Sequence, residues 1–320
     1  MAQDASHGLS LKLALQGGGA HGAFTWGALD RLLDVPDIVF SAVSGTSSGA
    51  MNAAALAQGW YRDGPRGARV ALREFWEGVA RQGAMAHWLT AATQAWNDAS
   101  WIRPPMVMPT FNPLRSMVEE FFDVQALRRS PITLYVAATR VRDAALVVFD
   151  GDRLSHDALL ASACLPMLHP TVEIEGEGYW DGGFAGNPTL DPLLGLAGDR
   201  IVCVLVQPMS LGATPRRPRD ILDVSMQQAF GAAFLREVRD LARAHRRAAQ
   251  KLLPNAQERQ LRRLDLQFIG PADTLGGQDA RPQRLHELHA QGWAAADAWY
   301  ARWMAGAQPA GTAGWAETFA

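Results

Sequence analysis

A serine attacks a carbonyl only if something takes its proton and something holds the negative charge that follows. In this chain of 320 residues the serine best placed for that attack is Ser47, inside Gly45-Thr46-Ser47-Ser48-Gly49. Gly-x-Ser-x-Gly is a nucleophile elbow when it joins the end of a strand to the start of a helix. The reason is steric. A serine on a sharp turn needs neighbours without bulk, so that the backbone can pass close by and the hydroxyl can project above a sheet. The helix that follows aims unpaired N–H groups at the same place. The same five residues would also serve as a small-residue turn whose serines cap a helix.

The charge needs donors, and Gly17-Gly18-Gly19-Ala20-His21-Gly22 offers them. Gly17, Gly19 and Gly22 fit the dinucleotide fingerprint Gly-x-Gly-x-x-Gly. That use requires an acid after the second strand to hold a ribose, and Ser44 and Gly45 stand there instead. Consecutive glycines at a helix start also make a nest of N–H donors for an anion, and the oxyanion of an ester is one. A tight turn is the plain alternative. The proton needs a base. The eight histidines include none in a late loop following an acid, and His245, His286 and His289 are expected on exposed helix faces. Asp181, in Tyr179-Trp180-Asp181-Gly182-Gly183-Phe184, suits the role better. An aromatic and glycine backbone on either side can desolvate its carboxylate and raise its basicity, though Asp-Gly is also a common turn.

These residues need elements to hold them. A strand over residues 9–16, a glycine turn and a helix over 23–33 are followed by a strand over 38–43, a second glycine turn and a helix over 50–58. That is the βα pattern of a mainly parallel sheet. Further helices are expected over 64–83, 114–122, 156–163, 222–253 and 282–304. Strands are expected over 132–139, 145–149, 171–174, 178–180, 200–207 and 264–269. The mixed charges from Arg236 to Arg263 read as a solvated helix face.

The Gly17–Gly22 loop, the Gly45–Gly49 turn and Asp181-Gly182-Gly183 fall in one order with one chemical meaning. Together with Ala161-Ser162-Ala163-Cys164-Leu165-Pro166, they make the chain resemble the patatin-like phospholipases, lipid acyl hydrolases that use a Ser–Asp dyad. The resemblance rests on residues 9–208. It implies a three-layer α/β/α fold around a mainly parallel sheet, and one hydrolase domain over 9–305 between flexible ends at 1–8 and 306–320. The motif-bearing core would be 9–208 and a helical part 209–305. It implies Ser47 as nucleophile, Asp181 as base and Gly17, Gly18, Gly19, Ala20, His21 and Gly22 as the oxyanion loop, with the N–H groups of Gly18 and Gly19 foremost. Gly45, Thr46, Ser48 and Gly49 would form the elbow, and Gly182 and Gly183 the rest of the base motif. His21 stands where the family usually carries arginine or lysine, so a group that titrates near neutral pH replaces a fixed cation. An acyltransferase, a polyester depolymerase and a silent lipid-binding protein share this pattern.

Composition narrows the setting. The hydrophobic share is 48%, the charged share 19% and the net charge -2, which suits a folded chain without nucleic-acid partners. Two cysteines, Cys164 and Cys203, cannot build a disulfide framework. With no signal peptide or spanning segment read from the sequence, the expected place is the cytoplasm, with peripheral contact to a membrane or lipid granules. The expected partner is a lipid or other acyl ester. Neither cofactor nor metal is expected. Residues 84–113 carry Trp88, Trp96, Trp101, Met106 and Met108 among prolines, and are expected to cap the site.

Overall fold

The computed structural model describes residues 9–81, 113–166, 168–209, 214–306, 315–316 and 319. The elements are, in chain order, β1 Leu9–Leu15, α1 Gly22–Leu33, β2 Ile38–Thr46, α2 Ser48–Arg81, α3 Pro113–Phe121, α4 Val124–Arg129, β3 Thr133–Arg140 and β4 Leu146–Phe149. Then come α5 His156–Ser162, β5 Val172–Ile174, β6 Glu177–Asp181, α6 Asp191–Leu194, β7 Arg200–Val204, α7 Pro218–Gln250, α8 Ala256–Arg263, β8 Asp265–Ile269 and α9 Pro282–Met304. Pairing runs β5-β6-β3-β2-β1-β7-β8, with β4 also on β3. The strands β1, β2, β3, β7 and β8 are mutually parallel, and β4, β5 and β6 enter antiparallel.

Strand periodicity makes the three layers. Leu11, Leu13 and Leu15 of β1 and Val202 and Val204 of β7 enter one core with α1, α2, α3, α5 and α9. Their alternates Ala14, Ile201 and Cys203 enter a second core with α6 and α7. The α/β/α arrangement is therefore the one that the resemblance implied. Lys12, on the second face, is fully buried but satisfied. Its Nζ donates to the carbonyls of Leu193, Leu196 and Gly198 at 2.8, 3.3 and 2.7 Å.

Register explains how two distant strand ends meet. β3 pairs with β2 over Thr133–Ala137, with β4 over Val136–Thr139 and with β6 over Ala138–Arg140. A strand has two edges, and β4 overlaps both other partners, so β2 and β6 share the opposite edge. Thr46 pairs with Ala137 and Asp181 with Ala138. The two strands therefore run head-on, and their last residues face each other across the seam.

Several expectations change in detail. Helix α2 runs from Ser48 to Arg81 and leaves helical geometry only at Asp63 and Gly64, so the gap expected after residue 58 is short. The helices α4, α6 and α8 were not expected. His245 is buried, with Nδ1 2.7 Å from the Leu261 carbonyl, and His289 is half-buried, 3.0 Å from Asp30 Oδ2. Within the stretch expected to be a flexible tail, Trp315 and Ala316 are buried instead. Trp315 packs on His245, and Ala316 accepts from Arg246 at 2.6 Å. The proposed cap at 84–113 lies, apart from Pro113, outside the described residues.

Candidate active site

Ser47 sits between the last residue of β2 and the first of α2 with φ at 55°, a left-handed conformation that costs a non-glycine residue energy. Its surroundings hold it there. A side chain on Gly49 would overlap the carbonyl oxygen of Leu15, and Gly45 is pressed against Ala50 in the same way. The N–H of Ser47 donates to Ser162 Oγ at 2.9 Å. Through that bond the Ala161–Pro166 segment fastens the turn from the side of α5. The half-buried Ser47 hydroxyl lies near enough to the Asp181 carboxyl to lower its pKa.

Asp181 ends β6 and is 2% exposed. Three contacts fix its place. Its N–H donates to the Cys164 carbonyl at 2.7 Å, its carbonyl accepts from Thr139 Oγ1 at 2.8 Å, and its Oδ1 accepts from Gly183 N–H at 2.7 Å. Burial pushes its pKa up to about 7, against the opposing pull of the bonds from Gly183 and Ser47. A buried carboxylate that keeps its proton weakly near neutral pH, set beside a serine, is a competent base.

The glycine loop lies beside this pair, its first half anchored by Asn187. Gly17 N–H donates to Asn187 Oδ1 at 2.6 Å, and Asn187 Nδ2 returns to the Gly17 carbonyl at 3.2 Å. Gly18 N–H donates to Ser48 Oγ at 3.0 Å, so one of the two donors expected at the oxyanion is engaged by the elbow itself. Gly19, at φ 58°, opens a 3₁₀ turn to His21. Its N–H has no acceptor among the described residues. The loop and elbow are tied together by Asn52, whose Nδ2 donates to the carbonyls of Gly22 and Ser48, both at 3.0 Å. Trp76 Nε1 holds Asn52 Oδ1 at 2.9 Å.

His21 belongs to the loop, but its buried ring is turned toward residues 276–278. Nε2 lies 3.0 Å from the Gly276 carbonyl, which can only accept, so that nitrogen carries the hydrogen. Nδ1 is left to accept from Gln278 Nε2 at 3.2 Å. Burial pushes the His21 pKa below its ordinary value, so the ring is uncharged at neutral pH. The cation expected to titrate there is absent for that reason.

Ser47, Ser48, Gly19 and Ala20 open on a mainly apolar cavity of about 100 Å³ lined by Met51, Phe75, Trp76, Val79 and Leu165. His169 also lines it, and burial pushes its pKa down. Sequence reasoning missed Asn52, Asn187 and Gln278, and set His169 aside with the other histidines. None lies in a motif, and each is brought in by a tertiary contact that no local pattern announces. Among the described residues no group of three His, Cys, Asp or Glu side chains is arranged to hold a metal. None of the described helices is long and apolar enough to cross a membrane.

A family model described as Patatin-like phospholipase matches residues 13–194. No curated protein matches the chain. Among solved structures, VipD from Legionella pneumophila matches with a TM-score of 0.43 at 16% identity, covering 92% of this chain and 68% of that one.

Proposed function

The chain belongs to the patatin-like phospholipase family of lipid acyl hydrolases, and from that premise we propose that it cleaves carboxylic esters of lipids by a Ser47–Asp181 dyad. Asp181 takes the proton as Ser47 Oγ attacks the acyl carbonyl. The carbonyl oxygen becomes an anion within reach of the Gly19 N–H. Collapse of this intermediate expels the alcohol, which carries away the proton held by Asp181, and leaves the acyl group on Ser47. Water then attacks the acyl-enzyme with Asp181 again as base, and Asp181 returns the proton to Ser47 Oγ as the Oγ–acyl bond breaks and the fatty acid leaves.

The observation that carries this reading is the meeting of the strained Ser47 turn with a buried Asp181 whose pKa burial pushes up to about 7. The apolar cavity beside Ser47 suits an acyl chain rather than a sugar or a peptide backbone. Peripheral contact with a lipid surface belongs to the same proposal. Phe184, three residues after Asp181, is 47% exposed and stacks on Phe230 of α7 at 4.8 Å. Ile221 and Met226, further along α7 toward its N-terminus, are also exposed.

A fluorophosphonate probe tests the nucleophile. Peptide mapping should find the label on Ser47, and Ser47→Ala should abolish both labelling and ester hydrolysis while the fold persists. A label on another serine would refute the assignment. An acyltransferase would use the same residues with an alcohol in place of water. Product analysis with and without added glycerol separates the two.

A further inference from the structure

Gln278 lies between β8 and α9, far outside the residues that the family model matches, yet it reaches the glycine loop with both ends of its amide. Oε1 accepts from the Ala20 N–H at 2.9 Å. Nε2 donates to the Gly18 carbonyl at 3.0 Å and lies 3.2 Å from His21 Nδ1. The network has one consistent solution. The Ala20 N–H can only donate, so Oε1 must face it. The Gly18 carbonyl can only accept, so Nε2 must face that. His21, whose Nε2–H is committed to Gly276, presents Nδ1 as an acceptor to the second hydrogen of Nε2.

The Gly18 carbonyl and the Gly19 N–H belong to one peptide unit. In a trans peptide these two groups point in opposite directions. Holding the carbonyl from the side of Gln278 and the His21 N–H (3.1 Å) therefore aims the Gly19 N–H the other way. Gly19 lines the cavity together with Ser47. Glycine turns its peptide planes more easily than any other residue, and three in a row give the loop little stiffness of its own. Something must hold the plane, and the loop's own side chains are too small to do so.

Resting on the Ser47 chemistry proposed above, we infer that Gln278 is a positioning residue for the oxyanion site: it fixes the plane of the Gly18–Gly19 peptide and so points the Gly19 N–H at the carbonyl oxygen of the bound ester. It touches neither substrate nor nucleophile. Its effect reaches the reaction only when the oxygen becomes charged, because a donor aimed in advance is worth most where charge develops. The C-terminal segment thereby completes a site whose motifs all lie in the first 183 residues.

Two variants of the full chain test this. Gln278→Met keeps the length and loses every hydrogen bond. Gln278→Glu keeps the acceptor for Ala20 and turns a negative oxygen toward the Gly18 carbonyl. On a short soluble ester, kcat per fluorophosphonate-titrated site should fall roughly 10–100-fold with KM within about twofold, somewhat less than for outright loss of an oxyanion donor. Inhibition by a trifluoromethyl ketone, whose tetrahedral adduct carries the oxyanion, should weaken by the same factor as kcat/KM. If Gln278→Met does not fold, Gln278→Glu alone decides. A folded variant with wild-type kcat and unchanged ketone affinity overturns the inference, as does one whose only change is a lower melting temperature. Activity that survives Ser47→Ala would instead refute the dyad, whatever the Gln278 variants do.

Discussion

At the scale of single residues, the proposed chemistry rests on where Asp181 keeps its proton. The base must be ionised to act, so kcat/KM on a soluble ester should rise with pH through about 7 and then level off. His21 should add no falling limb above neutral pH, because burial keeps it uncharged there. A decline between pH 7 and 8 that His21→Arg removes would contradict this. The same Asp181 shift has a stability counterpart. The unfolded carboxyl titrates near 3.8 and the folded one near 7, so the folded state binds this proton more tightly. The group's contribution to folding is complete below 3.8 and is lost as pH rises through 7, by on the order of 4 kcal/mol at most. Asp181→Asn should thus raise the melting temperature at pH 8 and give no gain at pH 4. A lower melting temperature at pH 8 would mean that ionised Asp181 stabilises the fold. Ser47 and Asp181 were legible in the sequence because their chemistry demands small neighbours, and glycines mark that demand. His169 and Gln278 were not, since a lone polar side chain in a loop carries no such mark.

At the scale of elements, the site depends on β2 and β6 meeting head-on and on α1 and α9 packing face to face. A Cβ on Gly27 would overlap the His289 carbonyl, and one on Gly292 the Phe24 carbonyl, so the two helix backbones touch. Gly292→Ala should cost more than about 3 kcal/mol, measured by denaturant unfolding, because neither backbone can yield alone. A loss under about 1 kcal/mol would show the contact to be soft. Glu237 of α7 provides a control for the pH profile. Its Oε1 accepts from the N–H groups of Leu190 and Asp191 at 3.0 and 2.8 Å, and burial pushes its pKa up to about 7. Glu237→Gln keeps that acceptor, so it should raise stability at pH 8 and leave the rising limb of activity in place. Loss of the limb would move the titrating group from Asp181 to Glu237. The strands were legible through apolar runs. The head-on meeting was not, because register across non-adjacent strands leaves no local pattern. α8 did leave one: Asn255 and Glu258 form a capping box. α4, six residues long, is too short for periodicity to reveal.

At the scale of the whole molecule, the family match ends at residue 194 but the architecture does not. β7 and β8 extend the same sheet, α9 covers α1, and the 270–281 loop holds the glycine loop. We therefore propose that residues 9–305 fold as one unit. A chain ending after Pro208 should be insoluble or unfolded, and full-length protein should unfold in a single transition followed alike by fluorescence and circular dichroism. A folded, active 1–208 fragment would show the C-terminal part to be an independent addition. The exposed apolar end of α7 belongs to this scale too. Replacing Ile221 and Met226 by serine should lower hydrolysis of a long-chain lipid dispersion several-fold and leave a short soluble ester unaffected. Equal loss on both substrates would place these residues in the fold rather than at a lipid surface.

The proposed mechanism stands or falls on Asp181 acting without a histidine. The direct measurement is kcat/KM of Asp181→Asn on a short soluble ester, set beside His169→Ala, the variant that removes the histidine lining the cavity. Asp181→Asn should lose roughly 10²–10⁴-fold, the range for removing a general base, while His169→Ala stays within about tenfold of wild type. Near wild-type turnover in Asp181→Asn together with collapse in His169→Ala would contradict the dyad and make His169 the base.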